Sequence, residues 1–182
     1  MDLPSRLFVV MGVCGCGKSS IGTALAEKFD ATYIEGDALH PPANIELMSA
    51  GTPLTDEDRW PWLKAIGERM AHEKGLVFVG CSALRKIYRA LLVETAGEPV
   101  CFIHLSGSRE LIAEWMDART GHFMPPHLLD SQLATLELPD EDELAISVDI
   151  AGSPEEIVEQ IIEQMQNGTA IDVSLPAGGD TR

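Results

Sequence analysis

The sequence has few basic residues. Its 182 residues include 13 Lys and Arg against 29 Asp and Glu, which gives a formal net charge of −16 at pH 7. Nucleic acids and anionic membranes are bound through basic surface, so we expect neither as a partner. The imbalance lies mostly in one part of the chain, because residues 127–182 carry 13 acidic groups and one basic group. If the protein binds a small anion, the local placement of its basic groups, and not its net charge, must determine where that anion binds.

The sequence also lacks a long hydrophobic run. Residues 7–13 are mostly apolar, but a bilayer span needs about 18 such residues. No basic segment precedes this run and no cleavage site follows it, so a signal peptide is not predicted. The four cysteines, at positions 14, 16, 81 and 101, match neither a zinc-binding pattern nor a disulfide framework. We therefore expect a cytoplasmic protein.

Predicted strands and helices alternate along the chain, with no internal repeat. Short apolar runs predict buried strands, and the spacing of Ile21, Leu25 and Phe29 predicts an amphipathic helix. This order is typical of an α/β fold in which helices cover both faces of a five-stranded parallel sheet. We expect one domain over residues 1–168 and a loose tail over 169–182. The predicted strands cover residues 7–11, 32–34, 76–80, 100–105 and 146–150, and the predicted helices cover 19–29, 42–50, 56–74, 84–94, 108–118 and 153–166.

Residues 12–19 match the phosphate-loop pattern G-x-x-x-x-G-K-[ST] at every fixed position. A predicted strand precedes the pattern and a predicted helix follows it, as the pattern requires. In such a loop the backbone N–H groups surround the phosphates, Lys18 reaches the β and γ oxygens, and the Ser19 hydroxyl binds Mg²⁺. The dinucleotide pattern G-x-G-x-x-G is excluded, because Ser20 stands where its third glycine would be. The predicted nucleotide-binding residues are Gly12, Val13, Cys14, Gly15, Cys16, Gly17, Lys18, Ser19 and Ser20.

Cys14 and Cys16 are unusual residues for a phosphate loop. The simpler interpretation is that each replaces another small residue in a crowded turn. The alternative hypothesis is that a thiol at a helix N-terminus has a lowered pKa and is readily oxidised, which would make ATP binding redox-sensitive.

Charged residues follow the second and third predicted strands, at the edge where open α/β sheets bind ligands. Asp37 could take a proton from an acceptor hydroxyl, although a solvated turn carboxylate explains it equally well. Arg59 suits a substrate carboxylate, but its segment also fits a helix start whose aromatic residues pack into a core. Three bases, Arg85, Lys86 and Arg89, lie within five residues of one another.

Residues 119–145 show no clear hydrophobic period and contain glycine and prolines. A segment of this length inside a compact domain is usually functional, so we predict a mobile lid. Arg119 would meet the transferring phosphate when the lid closes. His122 has two interpretations: it forms a structural hydrogen bond within the segment, or it takes part in catalysis.

These segments together resemble the gluconokinase family over residues 8–166. The resemblance rests on the phosphate loop and on residues 36–41, 48–51, 54–63, 81–84, 121–125 and 129–132. The family is similar in fold to shikimate and nucleoside-monophosphate kinases, so it implies a P-loop NTPase fold. It also implies ATP- and Mg²⁺-dependent phosphorylation of the 6-hydroxyl of D-gluconate, and it suggests a homodimer. The residue roles that it implies are catalysis by Lys18, Asp37 and Arg119, and an acceptor pocket formed by Asp37, His40, Arg59, Ser82, Arg85, Lys86 and His122.

Three positions depart from the family pattern in chemical character. Serines are usual at Cys14 and Cys16, and an arginine is usual at Trp115, four residues before Arg119. The loss of that cation leaves open a family member that binds nucleotide without activity. A kinase for another sugar acid or for shikimate is a second alternative. A nucleotide-dependent switch is less well supported, because the sequence has no Asn-Lys-x-Asp motif for reading guanine.

Overall fold

A sheet of five parallel strands forms the centre of the protein. The computed structural model describes residues 3–118 and 126–167, so Arg119, His122 and the predicted tail lie outside the described residues. The predicted α/β architecture and the number of strands are confirmed. The strands are β1 (Leu7–Met11), β2 (Thr32–Glu35), β3 (Val77–Gly80), β4 (Val100–Ser106) and β5 (Ala145–Asp149). They lie in the sheet in the order β2-β3-β1-β4-β5.

Helices cover both faces of the sheet, and β1 shows how the two layers arise. Every residue of β1 is buried, because the strand lies in the middle of the sheet. Phe8 and Val10 pack in a cluster with α1, α5 and α7, whereas Leu7 and Val9 pack in a second cluster with α3 and α4. Side chains alternate along a strand, so one apolar run supplies both cores. The helices are α1 (Lys18–Phe29), α2 (Pro42–Ser49), α3 (Asp56–His72), α4 (Lys86–Ala96), α5 (Arg109–Asp117), α6 (Pro126–Thr135) and α7 (Pro154–Asn167).

Helix α3 begins at Asp56 although Pro61 lies inside it. Its start is fixed by a reciprocal capping box: the Asp58 N–H donates to the Thr55 hydroxyl, and the Thr55 N–H donates to the Asp58 carboxylate at 2.8 Å. Such a box satisfies two backbone donors that the first turn leaves unpaired. The helix therefore presents a fixed first turn, and this turn carries Arg59.

The predicted elements agree with the structure to within two residues at their ends, and two differences bear on the site. Helix α4 starts at Lys86 rather than at residue 84, because the chain before it turns through Ala83 with a positive φ of 44°. Helix α6 occupies residues that were expected to be irregular. Leu129 is buried and Leu133 packs against the same core, so the segment has a helical apolar face after all. A mobile lid stays a prediction.

Within residues 3–118 and 126–167, no helix combines the length and the apolar character that a membrane span requires.

A buried histidine connects β4 to β5. His104 is 3 % exposed, stands opposite Ser147 in the strand register, and its Nδ1 lies 3.1 Å from the Ser147 hydroxyl. Burial, aided by the positive charge of Arg89, lowers the pKa of His104 to about 4. The imidazole is therefore neutral in the folded protein at pH values where it is charged in the unfolded chain.

We predict that the free energy of unfolding falls by about 2 kcal/mol between pH 7 and pH 5 because of His104. His104 takes up a proton near pH 6.5 in the unfolded chain and near pH 4 in the folded chain. The contribution of His104 to the free energy of unfolding is therefore complete above pH 6.5 and is lost as the pH falls toward 4. Urea unfolding at several pH values measures this slope.

His104→Gln should flatten the pH dependence, whereas replacement of the exposed His72 by Gln should leave it as in the wild type. An equal slope in wild type and His104→Gln would contradict the assignment.

Candidate active site

Residues 12–17 form the turn between β1 and α1, and Lys18, Ser19 and Ser20 lie in the first turn of α1. Gly12, Gly15 and Gly17 have φ values of 141°, 80° and 94°, which side-chain-bearing residues rarely adopt. A Cβ at Gly15 would also lie 2.4 Å from Met116 of α5. The loop thus presents backbone N–H groups at the start of α1, where the helix dipole favours a bound phosphate.

The loop is held by side chains on two of its sides. The Lys18 ammonium donates to the Val13 carbonyl at 2.9 Å, and the Cys14 N–H donates to the Gln132 side-chain oxygen of α6 at 2.7 Å. Gln132 lies in one of the segments that carry the family resemblance, but sequence reasoning gave it no role.

Trp115, where the family usually has arginine, packs against the loop. A Cβ at Gly17 would lie 3.5 Å from the Trp115 ring. The indole therefore covers the apolar outer side of the loop together with Met116 and Ile112, which lie close to Gly15. The residue that departs from the family pattern has a packing role here.

Tyr33 links the phosphate loop to the end of β2, and sequence reasoning missed it. Its hydroxyl donates to Glu35 at 3.1 Å and is also hydrogen-bonded by Ser19, the predicted Mg²⁺ ligand. Burial is the largest cause that raises the pKa of Tyr33. The alternation of β2 could have indicated this pair, because residues 33 and 35 share one face of the strand.

The residues around Ser19 suit Mg²⁺. Ser19 is exposed at the start of α1, and the carboxylates of Glu35 and Asp37 are close enough to act electrostatically on Tyr33. Hydroxyl and carboxylate oxygens are the ligand types that Mg²⁺ prefers, with water and substrate phosphates completing its shell.

Asp37 and His40 belong to a short 3₁₀ turn and the residue after it, directly beyond β2. Asp37 is exposed, and its Oδ1 lies 4.0 Å from His40 Nε2. The His40 ring is buried and stacks on Trp62 with a centroid distance of 4.0 Å, while the Trp62 N–H donates to the Gly36 carbonyl. Trp62 of α3 therefore holds the turn that carries Asp37 in place.

Asn44 fixes the protonation pattern of His40. The Asn44 amide nitrogen donates to the Asp58 carbonyl at 2.8 Å and lies 3.3 Å from His40 Nδ1. A carbonyl can only accept, so the amide nitrogen faces both groups and Nδ1 acts as an acceptor. Burial lowers the pKa of His40, which favours the neutral ring with its proton on Nε2, the atom facing Asp37. Nothing in the sequence pattern marked Asn44, because the contact joins α2 to α3.

Arg59 lies on the first turns of α3, partly exposed. Its Nη1 donates to the Leu54 carbonyl at 2.5 Å and lies 4.0 Å from Asp56, and its guanidinium lies 5.6 Å from the Tyr88 ring centre. These contacts orient the side chain, and 27 % of it stays exposed for a ligand.

The segment after β3 lies beside the phosphate loop. The Gly12 N–H donates to the Ser82 carbonyl at 3.2 Å. Arg85 pairs with Asp56 and Glu137, and Lys86 pairs with Asp140 and Asp142 at 2.9 and 2.8 Å.

Solvent-exposed ion pairs are weak, so these pairs do not prevent Arg85 and Lys86 from binding an acceptor. The acceptor role of both residues stays a prediction.

Arg89 differs from its two basic neighbours because it is fully buried. It forms two hydrogen bonds to Glu143 at 2.6 and 2.9 Å and donates to the Ala83 carbonyl at 3.1 Å. A buried cation without its partner would be strongly destabilising. Arg89 therefore joins α4 to the acidic segment before β5 and does not belong to an anion site.

The hypothesis of a lowered thiol pKa in the loop is wrong for Cys14. Cys14 is 8 % exposed, and its burial raises the thiol pKa more than the charge of Lys18 lowers it. Cys16 is fully buried. The structure thus favours the interpretation that both cysteines are small residues packed in a crowded turn.

The fold and this loop define a nucleotide-binding protein of the P-loop class. No profile of a known protein family matches the chain, but individual proteins do. A gluconokinase from Gluconobacter oxydans is 45 % identical over 172 residues, covering 91 % of this chain and 94 % of that protein. The thermoresistant gluconokinase of Escherichia coli is 40 % identical over 90 % of this chain and 95 % of its own length.

Solved structures agree with these relatives. The crystal structure of a gluconokinase from Sinorhizobium meliloti has a TM-score of 0.82 and 50 % identity, with 92 % of this chain and 97 % of that chain covered. Shikimate kinase from Aquifex aeolicus shares only the fold, with a TM-score of 0.55 and 13 % identity over 88 % of this chain and 96 % of that chain. The chain belongs to the gluconokinase family.

We predict that the loop thiols are unreactive in the folded protein at pH 7. Because burial raises the pKa of Cys14, iodoacetamide should modify the folded protein at least about tenfold more slowly than the urea-unfolded chain. Mass spectrometry of the modified peptides measures both rates. Rapid alkylation of Cys14 at pH 7 that ATP prevents would contradict this prediction.

Proposed function

We propose that this chain transfers the γ-phosphoryl group of ATP to the 6-hydroxyl of D-gluconate, giving 6-phosphogluconate and ADP. The proposal rests on membership of the gluconokinase family and on one structural observation. That observation is the convergence of the phosphate loop and the acceptor-side residues at a single edge of the sheet. The charges of Asp37 and Lys18 both act on the buried thiol of Cys81, directly after β3, so the two groups lie near the same residue.

Asp37 takes the proton of the acceptor hydroxyl in this proposal. Its carboxylate is exposed to a ligand, and the turn that carries it is held by the Trp62 bond to Gly36. The neutral His40 directs Nε2–H toward the same region and donates to a sugar hydroxyl or to the Asp37 carboxylate. A fixed acceptor geometry of this kind raises the rate by orienting the reactants.

Lys18 and the loop N–H groups stabilise the charge on the transferring phosphoryl group. Mg²⁺, held through Ser19, would neutralise charge on the β- and γ-phosphates. Arg119 would add a further positive charge, but this residue lies outside the described residues and its role stays a prediction.

Arg59 binds the carboxylate of the sugar acid. A guanidinium matches a carboxylate through two parallel hydrogen bonds, and Arg59 is oriented by Leu54 and Tyr88 while part of its side chain stays exposed. The distance between a carboxylate at one end of the substrate and a reacting hydroxyl at the other selects the length of the acceptor. This is how the pocket favours a sugar acid over a neutral sugar.

We also propose a cytoplasmic enzyme, where ATP is available and its four free cysteines stay reduced. The homodimer that the family resemblance suggests stays a prediction.

A coupled assay of ADP release with a panel of sugar acids, shikimate and no acceptor tests the proposed reaction. We expect ADP release that depends on both Mg²⁺ and D-gluconate, with ³¹P and ¹³C NMR placing the phosphate on C6. ADP release with shikimate or another sugar acid alone, or with no acceptor at all, would overturn the proposal.

Asp37→Asn should lower kcat by about 100- to 1000-fold with little change in thermal stability, because the amide cannot take the proton. Asp30→Asn is a matched control. Asp30 ends α1 with a left-handed φ of 50°, which asparagine tolerates, so this variant should keep full activity. Near-normal turnover in Asp37→Asn would exclude Asp37 as the base.

A further inference from the structure

We propose that Gln132 of α6 is a positioning residue for phosphoryl transfer, which acts by fixing the Val13–Cys14 peptide group against which the Lys18 ammonium is held. This inference rests on the proposed kinase reaction. It concerns a residue that does not touch either substrate in the proposed reaction and that the family resemblance left without a role.

The peptide group between Val13 and Cys14 accepts one hydrogen bond, from Lys18, and donates another, to Gln132. The Lys18 ammonium donates to the Val13 carbonyl at 2.9 Å, and the Cys14 N–H donates to Gln132 Oε1 at 2.7 Å. This carbonyl and this N–H belong to the peptide bond between residues 13 and 14. Because the N–H can only donate, it must face the oxygen of the Gln132 amide.

The two bonds act on opposite edges of the peptide plane. The C=O and N–H of a trans peptide point in opposite directions, and no described peptide bond is cis. Lys18 and Gln132 therefore hold the plane from two sides, and a rotation of the plane would break both bonds. Gln132 restricts the orientation of the Val13 carbonyl and, through it, the position of the Lys18 ammonium.

Gln132 is itself held in place from behind. It is half-buried, and α6 is anchored in the core by Leu129, which is 2 % exposed. Arg109 of α5 forms two hydrogen bonds to Asp130 at 2.5 and 3.1 Å, which join α6 to the helix that covers the loop. The amide thus reaches the loop from a helix that packs against the core.

The consequence for catalysis is preorganisation. Lys18 has to meet the β and γ oxygens of ATP, and its charge stabilises the transition state only if the ammonium is placed correctly. Without the Gln132 bond the peptide can turn, the Val13 carbonyl leaves its position, and Lys18 loses its rest position. We therefore expect a loss in kcat, while binding of gluconate on the other side of the site is unaffected.

Gln132→Met tests this inference, because methionine has a similar length and helix propensity but offers no strong acceptor. We expect kcat to fall about 10- to 100-fold, with the KM for gluconate within twofold of wild type and the thermal midpoint within a few degrees. Gln132→Glu keeps an oxygen acceptor for the Cys14 N–H and should retain kcat within about threefold. Gln160→Met, at an exposed position on α7, is the matched control and should behave as the wild type.

Hydrogen exchange of the Cys14 amide gives a readout that is independent of activity. Its protection should fall at least tenfold in Gln132→Met and persist in Gln132→Glu. If the wild type does not phosphorylate gluconate, the proposed function fails, but the exchange data still report on this bond.

Two results would overturn the proposal. The first is an unchanged kcat in Gln132→Met; if the KM for ATP falls as well, Gln132 competes with a phosphate for the Cys14 N–H. The second is an equal loss of kcat in Gln132→Met and Gln132→Glu, because the acceptor would then not matter.

Discussion

The close approach of the carboxyl ends of β1, β2, β3 and β4 is the constraint on which the candidate site depends. A Cβ at Gly36 would lie 2.2 Å from the Gly80 carbonyl, and one at Gly12 would lie 3.0 Å from the Leu105 carbonyl. No other residue type fits at these distances without moving the backbone. Because these glycines let the strand ends meet, Asp37 and the Ser82 segment come to lie beside the phosphate loop. Elements that are far apart in sequence thereby form one site.

Part of the acidic character of the chain is accounted for by local ion pairs between carboxylates and bases. Part of the excess of carboxylates lies in residues 137–143, which hold the bases at the start of α4. Arg89 pairs with Glu143 in the core. Lys18, in contrast, has no carboxylate partner among the ion pairs of the described residues. The net charge therefore excludes a polyanion as partner but says little about a small anion. Loop amides, Lys18 and Arg59 supply the positive potential where a phosphate and a sugar acid would bind.

The sequence was informative where the signal is local and less so where it depends on packing. Apolar runs identified all five strands, and the glycine and lysine pattern identified the phosphate loop, because each feature is encoded in adjacent residues. Helix α6 was missed because glycine and prolines before it concealed the spacing of its leucines. The alternation of β2 could have indicated the Tyr33–Glu35 pair, whereas the contacts of Asn44 and Gln132 join separate elements, so no pattern could reveal them. The idea of a reactive Cys14 failed for the same reason, since burial in the folded loop raises its pKa.

In the proposed reaction, one edge of the sheet places a phosphoryl donor and a sugar acid between Lys18, Asp37 and Arg59. A crystal structure with Mg²⁺, a non-hydrolysable ATP analogue and D-gluconate measures this directly. We predict that the C6 hydroxyl lies within hydrogen-bond distance of the Asp37 carboxylate and in line with the γ-phosphorus, with the C1 carboxylate on Arg59. A reversed sugar acid, with its carboxylate toward the phosphate loop and no hydroxyl near Asp37, would contradict the account.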